Sequence, residues 1–127
     1  MVESSPSLRP ILVVEDDDDI RETLQDVLEA EGYATLAASN GAEALHVLLS
    51  GRVPCLILLD LMMPIMSGPE LLTRMRQDPR LSSIPVIIVS AWAQEAEKTS
   101  GAQGFLKKPV DLEALLHVAA QYCSQKP

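Results

Sequence analysis

A chain of 127 residues with 47% hydrophobic side chains is long enough for one domain with its own core, and too apolar to be disordered throughout. Its formal net charge of −8 opposes contact with nucleic-acid phosphates or an anionic membrane, so neither is expected as a direct partner. Aromatic residues make up 3%, so the core must be aliphatic. No apolar run approaches the roughly 20 residues that span a bilayer, and the first ten residues lack the order of a signal peptide. The cytoplasm is the expected location.

Ile11 to Val14 is a short β-branched run that reads as a first strand. Asp17 to Glu31 carries Ile20, Leu24, Val27 and Leu28 at helical spacing and stops at Gly32. Tyr33 to Ala38 reads as a second strand. Asn40 is placed to cap a helix bearing Ala44, Leu45 and Leu48, which ends near Gly51.

Pro54 to Leu59 is a continuous apolar run, the pattern of a strand buried on both faces, and Asp60 closes it. After Gly68, Leu71, Leu72 and Met75 mark a third helix, finished around Asp78-Pro79. Pro85 to Val89 is a fourth buried strand ending at Ser90. Trp92 to Thr99 carries a weak helical signal, short and poor in apolar anchors. Gly104 to Lys107 is a short fifth strand, and Asp111 caps a last helix with Leu112, Leu115, Leu116 and Ala119 on one face.

Five strands alternating with five helices imply an α/β fold, a doubly wound parallel sheet with helices on both faces. One domain is expected over residues 9–123, with residues 1–8 and 124–127 as flexible tails. In such a sheet the C-terminal strand ends share one edge, where ligands bind. That edge collects Glu15-Asp16-Asp17-Asp18-Asp19, Asp60, Ser90 and Lys107-Lys108-Pro109.

Five acids in a row exceed what a helix cap needs, although Asp18 and Asp19 read as solvated first-turn residues. Glu15, Asp16 and Asp60 left bare would repel one another. A hard divalent cation relieves this, and Mg²⁺ is content with two or three carboxylates, a carbonyl and water. Asp60 is then a candidate nucleophile for a phosphoryl group, with a lysine and the ion neutralising charge. A serine hydroxyl at Ser90 suits a phosphoryl oxygen.

Cys55 and Cys123 are unclustered and are expected as reduced residues with no disulfide. His46 and His117 read as partly exposed helix residues, and Met62, Met63 and Met66 as loop packing. The sequence does not decide whether the Lys108–Pro109 bond is cis or trans, trans being the commoner state of X–Pro bonds.

Four pieces together resemble the receiver domain of bacterial two-component response regulators. They are Ile11-Leu12-Val13-Val14-Glu15-Asp16-Asp17, Asp60-Leu61-Met62-Met63-Pro64 with Gly68, Val86-Ile87-Ile88-Val89-Ser90-Ala91, and Gly104-Phe105-Leu106-Lys107-Lys108-Pro109. The spacings agree with the family: 44 residues from Asp16 to Asp60 and 30 from Asp60 to Ser90.

The resemblance implies a flavodoxin-like sheet of order 2-1-3-4-5. It implies that Asp60 is the phosphoacceptor, receiving a phosphoryl group from the phosphohistidine of a histidine kinase or phosphotransfer domain. Glu15, Asp16, Asp60 and the Met62 backbone carbonyl are the implied Mg²⁺ ligands, and Lys108 the implied conserved-type lysine. Ser90 and Phe105 are the implied switch pair, which on phosphorylation alter a partner-binding surface. The chain is then no enzyme beyond its own phosphorylation and dephosphorylation.

One stretch departs from the family: Lys108 follows Ser90 by only 18 residues, and the weak fourth helix is where residues are missing. Trp92, bulky and two positions after Ser90, is expected to shield an acyl phosphate from water.

Three other readings compete. A metal-dependent phosphohydrolase with an aspartyl nucleophile resembles the Asp-x-Asp haloacid dehalogenase proteins, but Met62 stands at the second Asp. A flavin module needs a phosphate loop where this chain has acids. An adaptor that is never phosphorylated has no use for Asp60, Ser90 and Lys108 together.

Overall fold

The computed structural model describes residues 9–99 and 101–123. The expected tails, residues 1–8 and 124–127, lie outside the described residues. In chain order the elements are β1 (Ile11–Val14), α1 (Asp18–Ala30), β2 (Thr35–Ala38), α2 (Gly41–Leu49) and β3 (Leu56–Leu59), then α3 (Gly68–Arg76), β4 (Val86–Ser90), α4 (Ala93–Lys98), β5 (Gly104–Lys107) and α5 (Leu112–Tyr122). The strands form one sheet of order β2-β1-β3-β4-β5, and every pairing is parallel. The expected doubly wound sheet of order 2-1-3-4-5 is the observed one.

Strand residues point alternately to opposite faces, and that alternation splits the core in two. Leu12, Val14, Ile57, Leu59 and Ile88 face α2 and α3 and pack with Ala44, Leu48, Leu71, Leu72 and Met75. Ile11, Val13, Leu56, Leu58, Ile87 and Val89 face α1 and α5 and pack with Leu24, Leu28, Leu115 and Ala119. Covering both faces explains why β1, β3 and β4 read as unbroken aliphatic runs. β5 lies at an edge and alternates half-buried with exposed positions.

Side-chain caps start four of the helices. Asp17 accepts from the Ile20 amide at 3.0 Å, and Asn40 from the Glu43 amide at 2.8 Å. Ser67 accepts from the Glu70 amide at 3.3 Å, and Asp111 from the Ala114 amide at 3.2 Å. α4 has six residues, the short fourth helix that its few apolar anchors foretold.

The cysteine expectation is corrected. Cys55 and Cys123 form a disulfide, with Cα atoms 5.5 Å apart. They are 68 residues apart in the chain, so local spacing could not pair them. Packing does: Cys55 precedes β3, Cys123 ends α5, and both are buried in the core shared by α1 and α5.

The Lys108–Pro109 peptide is cis rather than trans. The methionine expectation holds for Met66, which is buried, and for Met63, packed against the α2–α3 core. It fails for Met62, whose side chain is 66% exposed. His46 and His117 are exposed, as expected of helix surface positions.

Candidate functional site

The site lies where β1, β3, β4 and β5 end. The Asp60 amide donates to the Val14 carbonyl at 3.0 Å, extending the β1–β3 ladder one step beyond Leu59. Glu15 and Asp60 therefore leave their strands side by side. The Glu15 amide donates to the Ala38 carbonyl of β2 at 3.0 Å, and the Lys108 amide to the Ser90 carbonyl of β4 at 2.9 Å. Parallel pairing thus carries the chemistry-bearing residues to one edge.

Gly68 keeps the loop after β3 close to its strand. Its amide donates to the Leu61 carbonyl at 3.0 Å. A Cβ at this position would stand 2.5 Å from the Asp60 carbonyl oxygen, so only glycine allows the approach. In the same loop Ile65 has φ +69°, in the left-handed region. That conformation costs an L-residue roughly 1–2 kcal/mol.

Glu15 and Asp60 are buried, whereas Asp16 is exposed. One carboxylate oxygen from each of the three lies within 4.8 Å of the others, which suits a single small cation. The Lys108 ammonium stands 2.7 Å from Glu15 Oε1 and 3.5 Å from Asp60 Oδ1. Glu15 Oε1 is buried and, apart from that ion pair, receives no hydrogen bond of ordinary geometry. A buried carboxylate oxygen with spare lone pairs beside two more carboxylates fits an oxygen-seeking divalent ion.

Burial, and then the charge of Glu15, push the Asp60 carboxyl up to about 6; the Lys108 charge and a hydrogen bond from the Met62 amide pull the other way. Burial pulls the Lys108 ammonium down. The hydrogen bond to Glu15 and the charges of Asp60 and Glu15 outweigh that and hold it above the usual lysine value. Lys108 is therefore charged at neutral pH, and Asp60 is only modestly past its own titration.

Of the two lysines, Lys108 enters the site, while Lys107 is exposed on β5. Ser90 is fully buried at the end of β4, and its hydroxyl accepts a hydrogen bond from the Trp92 amide at 2.9 Å. Phe105 pairs with Ile88 across the sheet and is 37% exposed. Trp92 is exposed and lines a cavity of about 480 Å³ with Leu61, Met62, Pro69 and Glu95.

Arg21 is the contributor that sequence reasoning missed. Its guanidinium donates to the Glu15 carbonyl at 2.9 Å and pairs with Asp18 at 2.6 Å, bracing the acidic turn from within α1. Glu15 Oε2 accepts the Asp17 amide at 3.1 Å, so the turn is also held by its own backbone. The signal was an arginine three residues after Asp18, the spacing at which helix side chains meet.

A family model described as the response regulator receiver domain matches residues 11–120. The chain is 31% identical to the polar-differentiation response regulator DivK of Brucella anthropi, over 90% of this chain and 95% of DivK. It is 39% identical to the phosphate regulon transcriptional regulatory protein PhoB of Pseudomonas aeruginosa, over 80% of this chain and 45% of PhoB. The crystal structure of the response regulator TrrA of Thermotoga maritima, in complex with Mg²⁺ and BeF, superposes with a TM-score of 0.80. That match is 31% identical and covers 90% of this chain and 98% of TrrA. Sheet order, acidic cluster and family match agree: the chain belongs to the response regulator receiver domains of two-component signalling.

Proposed function

We propose that Asp60 accepts a phosphoryl group from the phosphohistidine of a histidine kinase or phosphotransfer domain. The observation that carries this reading is the Lys108 ammonium set between Glu15 and Asp60, beside a three-carboxylate cluster. In the step, an Asp60 carboxylate oxygen forms a bond to phosphorus. The phosphorus–nitrogen bond breaks, and its electron pair leaves with the donor imidazole.

Glu15, Asp16, Asp60 and the Met62 backbone carbonyl are the residues that would hold Mg²⁺. When bound, the ion neutralises charge on the phosphoryl oxygens. The Mg²⁺ and BeF in the TrrA structure support this assignment. Lys108 pairs with the transferred group's charge, and the buried Ser90 hydroxyl, which accepts from the Trp92 amide, donates to a phosphoryl oxygen.

Ser90 and Phe105 act as the switch, and the surface built by α4, β5 and α5 carries the change to an output protein. Trp92, at the mouth of the cavity it shares with Met62, limits water's approach to the acyl phosphate. We read the chain as a signalling domain with no turnover beyond its own phosphorylation and dephosphorylation. Its expected setting is the cytoplasm, with no direct contact with nucleic acid or membrane. Among the described residues no helix is long and apolar enough to cross a membrane.

Incubation with acetyl phosphate and Mg²⁺ tests the assignment. The expected product is an acid-stable, base-labile phosphoryl adduct in wild type and none in Asp60→Asn. An unlabelled wild type, or a labelled Asp60→Asn, overturns it.

A further inference from the structure

α5 holds to the sheet by one narrow stripe. Leu115 and Ala119 are fully buried, and Cys123, one turn further on, is nearly so. Of these only Leu115 is large. α3, two residues shorter, buries Leu71, Leu72 and Met75. The last turn of α5 is therefore gripped by the methyl group of Ala119 and the sulfur of Cys123, while Leu116, Val118 and Tyr122 pack only in part. An element with so little buried apolar surface opens locally at low cost unless a covalent bond holds it. The Cys55–Cys123 disulfide is that bond.

Cys55 stands just before β3, at the edge of the sheet away from Asp60. Its Sγ lies 3.3 Å from the Arg9 carbonyl oxygen and 3.6 Å from that of Pro10. A disulfide sulfur carries no hydrogen and cannot donate to either. A thiol can, so reduction gives Cys55 an acceptor that is already in place. The pair is thus accommodated in both oxidation states: a bond across the core in one, a hydrogen-bonded thiol in the other. The cytoplasmic setting proposed above points the same way, since disulfides that form there are mostly transient or redox-sensing.

We propose that Cys55–Cys123 is an exchange site for a protein dithiol, and that its oxidation state sets the order of the last turn of α5. As that turn opens, a thiolate of the reductant attacks Cys123 Sγ and forms a mixed disulfide. The bond to Cys55 breaks, and Cys55 Sγ leaves as a thiolate that takes a proton. The second thiolate of the reductant then displaces Cys123 Sγ, which is protonated in turn. The reductant ends as a disulfide, and two electrons and two protons have passed to the chain. α5 belongs to the proposed output surface, so the exchange reaches that surface from the end of the sheet opposite Asp60. The inference rests on that reading of α5 and on the cytoplasmic setting; the chemistry of Asp60 does not enter it.

The test treats the purified, oxidised chain with dithiothreitol, without denaturant and well below its melting temperature, so the compartment does not affect the result. Both cysteines should become countable as thiols while the fluorescence of Trp92 stays that of the folded chain. The reduction rate should change less than about twofold in low urea, because only a small surface opens. Amide hydrogen exchange in the last turn of α5 should quicken at least about tenfold more than in β3, and oxidised dithiothreitol should reverse it. Acetyl phosphate should label both forms at rates within about twofold of each other.

Reduction that keeps pace only with global unfolding, and so rises steeply with urea, overturns the inference. So does an equal quickening of exchange in α5 and β3, which is what a plain staple gives, or thiols that fail to reclose in the folded chain. Cys55→Ala with Cys123→Ala should match the reduced chain in α5 exchange and ignore dithiothreitol; a response to dithiothreitol overturns the assignment to this pair. If neither form takes label from acetyl phosphate, the phosphoacceptor reading fails, and the exchange result stands by itself.

Discussion

The two ends of β3 do opposite things. At its start, Cys55 is buried and covalently tied to Cys123 at the end of α5. At its finish, five residues on, Asp60 is an equally buried carboxylate pushed up to about 6 by burial and by Glu15. One end adds stability by restricting the unfolded chain. The other holds a charge that water would solvate better, with Lys108 as partial compensation. Four residues of strand separate a stabilising device from a destabilising one, and the difference is what a reactive group requires: a stiff base under a site that is ready to bind cation and phosphoryl group.

The largest way to break that contrast is to cut the staple. Closing a loop of 68 residues is worth about 4 kcal/mol in the chain-entropy account. Cys55→Ala with Cys123→Ala, or full reduction, should therefore lower the melting temperature by about 15 °C. Labelling by acetyl phosphate at a temperature where the variant is folded should persist. Thermal denaturation with and without reductant, after counting free thiols in denaturant, gives the answer. An unchanged melting point would remove the staple from the comparison.

The other end is probed by Asp60→Asn. The folded-state carboxyl titrates near 6, above its ordinary value of 3.8, so the folded chain binds the extra proton between those limits. Ionised Asp60 therefore costs stability above about pH 6, and the cost vanishes below about pH 4. Asp60→Asn should be more stable than wild type by about 2 kcal/mol at pH 7, and no more stable at pH 4. Urea unfolding at both pH values measures this. Equal gains at both would locate the effect outside the charge.

Mg²⁺ offers a gentler test of the same charge. A cation and a proton compete for Asp60, so affinity should fall about tenfold for each pH unit below about 6 and level off above it. The intrinsic fluorescence of Trp92 reports binding, since it is the chain's lone tryptophan. A pH-independent affinity would sink the ligand role of Asp60.

The smallest expected effect lies at the rim. Trp92→Ala should shorten the lifetime of the acyl phosphate about threefold, followed as loss of label after the donor is removed. This corresponds to about 0.6 kcal/mol of barrier. An unchanged lifetime rules out shielding by the ring.

Much of this molecule was legible in the chain. Ile11 to Val14, Leu56 to Leu59 and Val86 to Val89 announced buried parallel strands because a sheet covered on both faces needs aliphatic side chains at every position. Asp17, Asn40 and Asp111 announced helix starts because their short polar side chains satisfy amides that a helix leaves free. Trp92 to Thr99 was weak as a helix and is one of six residues, for want of a face to bury. Glu15, Asp16, Asp60 and Lys108 were legible as partners because topology sends every C-terminal strand end to one edge.

What the chain could not show were relations between distant atoms. Nothing near Cys55 pointed to Cys123; only the descent of α5 across the start of β3 brings them together. Arg21 drew no notice in the sequence, and its guanidinium meets the Glu15 carbonyl only in the fold. The bond before Pro109 was open in the sequence and is cis. Nothing in the sequence around Ile65 pointed to its left-handed backbone, with φ +69°. Period, capping and strand-end chemistry are local and survive in the one-dimensional order. Pairings across 68 residues, the shifted proton affinity of Asp60 and the identity of the rim exist only once packing has removed water and set the distances.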